Sequence, residues 1–172
     1  MTTAWFLPNT VTQFAEIPQH IAWQGEENNY AYLRTVDAYL STKSELLHIA
    51  NPSVNDLKMK TYYLYLTNFN ITGLPDVVSG VEVQIDMKRG GRITDETIQL
   101  RYNNEFIGVN RASYPLDNNT LYGGPTDLWE LDSISTDIIT DPSFGLGIRY
   151  QSHPFWPHKE HPMLNYIMLR VW

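Results

Sequence analysis

Val81-Glu82-Val83-Gln84-Ile85-Asp86-Met87 alternates apolar and polar residues without a break, so Val81, Val83, Ile85 and Met87 share one face of a strand and the other face is left to water. Similar runs lie on both sides of it. Upstream, Tyr62-Tyr63-Leu64-Tyr65-Leu66 is a dense aromatic and aliphatic strand ended by Asn68-Phe69-Asn70 and then by Gly73 and Pro75, and Tyr30 to Tyr39 alternates less regularly. Downstream, Gly90-Gly91 supplies a turn, Thr94 to Tyr102 alternates through Thr97-Ile98-Gln99-Leu100-Arg101, and Phe106-Ile107-Gly108-Val109 continues as a short strand. Gly145 to Tyr150 and a closing strand near Asn165-Tyr166-Ile167 complete the series. Turn signals at intervals of about ten residues describe an all-β chain, an antiparallel sandwich or barrel and not a βαβ fold, and the fold expected is a single antiparallel β-sandwich of jelly-roll-like form. Thr42 to Ile49 reads equally as a short helix or a strand, and Asn51-Pro52 ends it either way.

The chain has 172 residues, 42% apolar and 18% charged, enough to bury a core but too short for two large domains. Its net charge of −7 argues against attraction to nucleic acid or to an anionic membrane, and its longest apolar runs are too short to span a bilayer. The absence of cysteine excludes disulfides, thiolate metal sites and thiol catalysis. With Arg34 as the first basic side chain, the N-terminus lacks the pattern of a secretory signal and reads as a mature terminus.

Residues 1–20 have no sustained period, carry Trp5, Phe6, Leu7 and Phe14 and are punctuated by Pro8 and Pro18, which reads as an extended N-terminal arm ahead of a β-sandwich domain over residues 21–172. Large apolar side chains on an arm pack onto something, because each one left in water forgoes about 1.5–3 kcal/mol. The arm's own domain and an adjacent subunit are both candidates. The segment from His153 to Pro162 is the other expected contact. Its three prolines prevent His158 and His161 from converging as on a helix, so the reading is a stiff loop in which Phe155, Trp156 and His158 meet a neighbour, with no metal bound.

Asp127, Asp132, Asp137 and Asp141 raise the question of a carboxylate pair or a calcium loop, but they lack the interleaved spacing and turn glycine of the latter and read as solvated loop residues. Eleven tyrosines, five tryptophans and six phenylalanines allow an exposed platform for sugar rings, although strand aromatics more often belong to a core. Gly90-Gly91-Arg92 lacks the lysine and the helix of a phosphate cradle. Neither the Tyr122 to Trp129 stretch nor the Ser135 to Tyr150 stretch places a nucleophile beside a base, and no enzymatic activity and no cofactor are expected.

Tyr122-Gly123-Gly124-Pro125-Thr126-Asp127-Leu128-Trp129 is the most specific stretch. Gly123 and Gly124 permit positive φ or close backbone approach, Pro125 fixes the next turn, Asp127 can accept from loop amides, and Leu128 and Trp129 enter the core. Ser135-Thr136-Asp137 with Pro142 reads as a crossover loop. Taken with Trp23, Asn28-Asn29-Tyr30-Ala31, Tyr63 to Phe69, Ser79 to Val83, Ile93 to Leu100, Ile107 to Ala112 and Phe144 to Ile148, the ordered set resembles a family of β-sandwich virion structural proteins of tailed bacteriophages, found as head-decoration or tail-associated proteins. The chain departs from that pattern at Glu130, where a glycine is usual, in the reduced Leu131 to Ser135 stretch, and before Trp23.

The resemblance implies a non-enzymatic virion protein, made in the bacterial host cytoplasm, that acts as a capsid decoration or cement protein through packing. Its partners would be the major capsid protein or tail and baseplate proteins, together with copies of itself as a homo-oligomer. The alternative is a tail or baseplate component whose sandwich binds a receptor or a host-surface glycan.

Overall fold

The computed structural model describes residues 4–14, 23–24, 38–40, 59–60, 62–88, 93–113, 119–152 and 163–172. The strands are β1 (Trp5–Phe6), β2 (Thr10–Phe14), β3 (Trp23–Gln24), β4 (Ala38–Leu40), β5 (Met59–Lys60), β6 (Tyr63–Thr67), β7 (Val81–Lys88), β8 (Ile93–Tyr102), β9 (Glu105–Ile107), β10 (Asn119–Gly123), β11 (Gly145–Ser152) and β12 (Met163–Val171), with one short helix, α1 (Thr136–Thr140). They form two antiparallel sheets. The first runs β10-β7-β12-β4-β3, with β1 also on β12; the second runs β2-β6-β11-β8-β9, with β5 also on β11.

The strand order is that of a jelly roll. Among β4 and β6 to β12, the outermost pair in sequence (β4 with β12), then β6 with β11, β7 with β10 and β8 with β9 are all hydrogen-bonded neighbours, as in one long hairpin rolled around a core. The roll puts β7 and β8 in opposite sheets, so the glycine turn expected between them does not join a hairpin. Asn103 and Asn104, both at positive φ, make the two-residue turn between β8 and β9, the one tight hairpin among the described residues.

Alternation explains the core. Val81, Val83 and Ile85 of β7 are fully buried, as are Leu64 and Leu66 of β6, Ile98 and Leu100 of β8, Leu146 and Ile148 of β11, and Ile167 and Leu169 of β12. Tyr122 of the first sheet donates its hydroxyl to the buried Asp95 of the second, tying the layers together through a satisfied polar pair.

The segment expected to be an arm is described over residues 4–14, and there it packs on its own domain. β1 pairs with β12 in one sheet and β2 with β6 in the other, so the segment crosses the sandwich at the buried Pro8. Phe6 and Val11 reach the core. Trp5 lies outside, where the Arg170 guanidinium is held 4.3 Å from its ring and 4.2 Å from that of Trp172, while Arg170 pairs with Glu82 at 2.9 Å. The Thr42 to Ile49 segment, whether helix or strand, and the His153 to Pro162 loop with Phe155, Trp156 and His158 lie outside the described residues.

One end of the sandwich is closed by the Tyr122 to Trp129 corner. Gly123 has φ 75°, and a Cβ there would collide with the Val81 carbonyl and the Trp129 indole. Trp129 is fully buried and donates its ring N–H to the Val81 carbonyl at 2.9 Å. Asp127 accepts from the Trp129 amide and from Arg111, each at 2.7 Å, whereas Leu128 is only half-buried against the core. The stretch expected to be a crossover loop instead contains α1, capped by the Ser135 hydroxyl on the Ile138 amide.

Trp129 and Glu130 sit at φ 59° and 62°, where an L-residue is strained and glycine is not. Glu130→Gly is therefore expected to raise unfolding stability by up to about 1 kcal/mol, and Trp129→Ala to lower it by about 3–5 kcal/mol, in urea titrations followed by circular dichroism.

Candidate functional site

The inward residues of the second sheet leave a second set facing water. These are Phe14 from β2, Tyr63 and Tyr65 from β6, Gly147 and Arg149 from β11, Arg101 from β8 and Phe106 from β9. Register brings them together: Phe14 opposes Tyr63, Gly147 lies between Tyr65 and Gln99, and Arg101 opposes Phe106. Gly147 is what lets them meet. A Cβ there would collide with the Phe106 ring and the Arg101 stem, both of which lie on the bare backbone of β11.

The rings form one cluster. Phe14 and Tyr65 are 6.1 Å apart and 20° from parallel, and Tyr63 and Tyr65 are 5.7 Å apart and 21° from parallel. Phe106 lies 5.6 Å from Tyr63 and 6.2 Å from Tyr65, inclined to both. The Arg101 guanidinium is 3.5 Å from the Tyr65 centroid and the Arg149 guanidinium 4.0 Å from that of Tyr63. Both arginines are buried, at 6% and 4% exposure, while both tyrosines are half-buried, so the rings act as lids over the charges. Phe14, 52% exposed, and Phe106, 37% exposed, stand in water on either side.

The two arginines differ in their partners. Arg149 makes a two-pronged pair with Glu96, at 2.5 and 2.8 Å, and Lys60 joins it at 2.8 Å. Glu96 is the residue skipped by the register where β11 shifts between Arg149 and Tyr150, an irregularity that lets Asp95 turn inward and Glu96 outward in succession. Burial alone would raise the Glu96 pKa. Hydrogen bonds from Arg149, Lys60 and Thr97 and the charge of Arg149 outweigh it and hold the carboxyl at about 2. Arg101 has no carboxylate partner among the described residues: one terminal nitrogen donates to the Asn104 carbonyl at 2.8 Å, and its Nε has no acceptor. Burial lowers its pKa from the ordinary value, and the nearby Tyr65 acts in the opposite direction.

Of the expected contact residues that are described, Phe14 lies on this face. Trp5 and Phe6 belong to the first sheet, Leu7 is half-buried beside Pro8, and Gly123, Gly124, Asp127, Leu128 and Trp129 form the corner. Tyr63, Tyr65, Arg101, Phe106, Gly147 and Arg149 were not recognisable as a group, because their adjacency is created by register across β6, β11, β8 and β9. The signals present were the two tyrosines at spacing two and the alternation of Gly145, Gly147 and Arg149. Among the described residues, no group of three His, Asp or Glu side chains is placed to hold a metal ion, and no helix is long and apolar enough to cross a membrane. No family model, curated protein or solved structure matches the chain.

A carboxyl whose pKa falls from 4.5 to about 2 on folding contributes stability that is complete above pH 4.5 and is lost as the pH drops towards 2. Glu96→Gln is expected to cost on the order of 2–3 kcal/mol at pH 7 and to flatten the decline of stability between pH 4.5 and 2, measured by urea unfolding across that range.

Proposed function

We propose that this chain is a non-enzymatic structural protein of a bacteriophage particle that works by docking the aromatic, cationic face of β2-β6-β11-β8-β9 onto a neighbouring protein of the particle. A decoration or cement role on the capsid is the preferred form, and attachment at the tail or baseplate is the alternative. The observation that carries the reading is the pair Phe14 and Phe106, two large apolar side chains standing in water beside tyrosine rings that cover buried guanidinium groups. Aromatic and arginine side chains together are the usual anchors of protein interfaces. The jelly-roll order supports it as an analogy of fold, since viral capsid domains use that architecture, but lectins use it too.

Glycan binding is the second reading, favoured by four rings gathered on one wet face. A sugar platform needs a flat aromatic surface open to water. Here Tyr63 and Tyr65 each have a face against a guanidinium, and Phe106 is inclined to both, so the surface is ridged and better suited to receive side chains of a protein partner.

The test adds purified protein to phage particles lacking it and measures occupancy by co-sedimentation. Replacing both Phe14 and Phe106 by alanine should weaken attachment about ten- to a hundredfold while leaving the thermal melt unchanged. Wild-type occupancy by that double variant refutes the assignment. Millimolar or tighter binding of a neutral oligosaccharide, lost in the same variant, establishes the glycan reading in its place.

A further inference from the structure

Charge on this chain is segregated. Between Arg111 and Arg149 there is no lysine or arginine, yet the described part of that interval carries Asp127, Glu130, Asp132, Asp137 and Asp141. Asp127 is paired with Arg111, but Glu130, Asp132 and Asp137 are exposed and make no ion pair among the described residues. On the aromatic face the balance is reversed: Lys60 and Arg149 share one carboxylate, Glu96, and Arg101 pairs with none among the described residues, within a protein of net charge −7. Arg101 is the exceptional member. A guanidinium that is nine-tenths buried, with an unsatisfied Nε and no counter-ion among the described residues, bears a desolvation cost that its two aromatic neighbours offset only in part.

We infer that the aromatic face binds a second copy of this chain head to tail, taking as its occupant the acidic segment 127–141 of the neighbour. Phe14 and Phe106 supply the apolar contact, and carboxylates brought beside Phe106 supply a counter-charge that no described residue gives Arg101. Two copies of the face turned towards each other would oppose Lys60, Arg101 and Arg149 with their own duplicates, so a two-fold contact is electrostatically unfavourable. The two complementary surfaces are different patches of one chain. Such a contact is heterologous, and when repeated it builds a ring or a filament and does not stop at a dimer. The inference rests on the assembly reading above and specifies one partner for the same face.

Sedimentation velocity of the full chain over a concentration series tests it. The wild-type protein should self-associate at 50 mM NaCl, at least tenfold more weakly at 500 mM. Phe14→Ala with Phe106→Ala, and separately Glu130→Gln with Asp132→Asn and Asp137→Asn, should each reduce association at least tenfold with unchanged melting curves. Mixed together, the two variants should form a one-to-one complex and nothing larger, because only one intact pair of surfaces remains. A wild-type protein that stays monomeric at low salt, association indifferent to salt, or a mixture of variants that stays monomeric would each overturn the inference. A monomeric protein that still coats particles through Phe14 and Phe106 overturns this inference alone and leaves the docking reading standing.

Discussion

A rolled pair of sheets holds together only if the ends of the roll are sealed, and here much of one seal hangs on the backbone of Val81. Its amide donates to the Asp127 carbonyl at 3.0 Å, and its own carbonyl receives the Trp129 indole and the Gly124 amide. Val81 opens β7, the strand that lies between β10 and β12. Fixing its first residue therefore fixes where the long strands of the first sheet begin, and the buried indole fills the space between the layers at that end. The strained backbone at Trp129 and Glu130 is tolerated because the corner is held at several points: by Asp127, by Arg111 and by the Val109 amide on the Trp129 carbonyl.

With the core sealed inside, the second sheet can carry an unusual outer surface. Two arginines sit nearly out of reach of water on a sheet face that faces solvent, which is possible only because tyrosine rings cover them. Gly147 makes this geometry available by leaving the middle of β11 bare. The Glu96 network offsets part of the charge at one end of the surface, and at the other end Arg101 has no carboxylate partner among the described residues. The face is thus polarised along its length, with apolar rings between, a pattern that favours a partner able to meet a charge and a hydrophobic anchor at once.

Local sequence disclosed the strands whose two faces differ. The alternation at Val81, Val83 and Ile85 was legible, and all three are buried. It could not show that Glu82, on the wet side, is also buried, because Arg170 and the Trp172 indole come from the far end of the chain to cover it. β2 was illegible for the opposite reason: Val11 is its one core residue, and a five-residue strand with one buried side chain has no period to read. In α1 the signals were present, with Ser135 as cap and Asp137 in the first turn, but five residues are too few for helical spacing to show. The aromatic face was hidden by composition, since Tyr62-Tyr63-Leu64-Tyr65-Leu66 is apolar on both sides and only the register with β11 tells which side is wet.

The pairing of β1 with β12 also has a kinetic side. Trp5 lies opposite Arg170, so β1 has no described mate until β12 has been made. β4 and β6 find earlier partners in β3 and β2, but one side of each waits for a late strand, β12 and β11. A polypeptide wired this way gains little from partial synthesis: its contacts span most of its length, loop closure must precede reward, and maturation is slow beside that of a helical bundle of equal size. The nascent chain therefore passes through a long interval with sheet edges unfilled, during which it depends on dilution or on chaperones to escape sticking to its siblings.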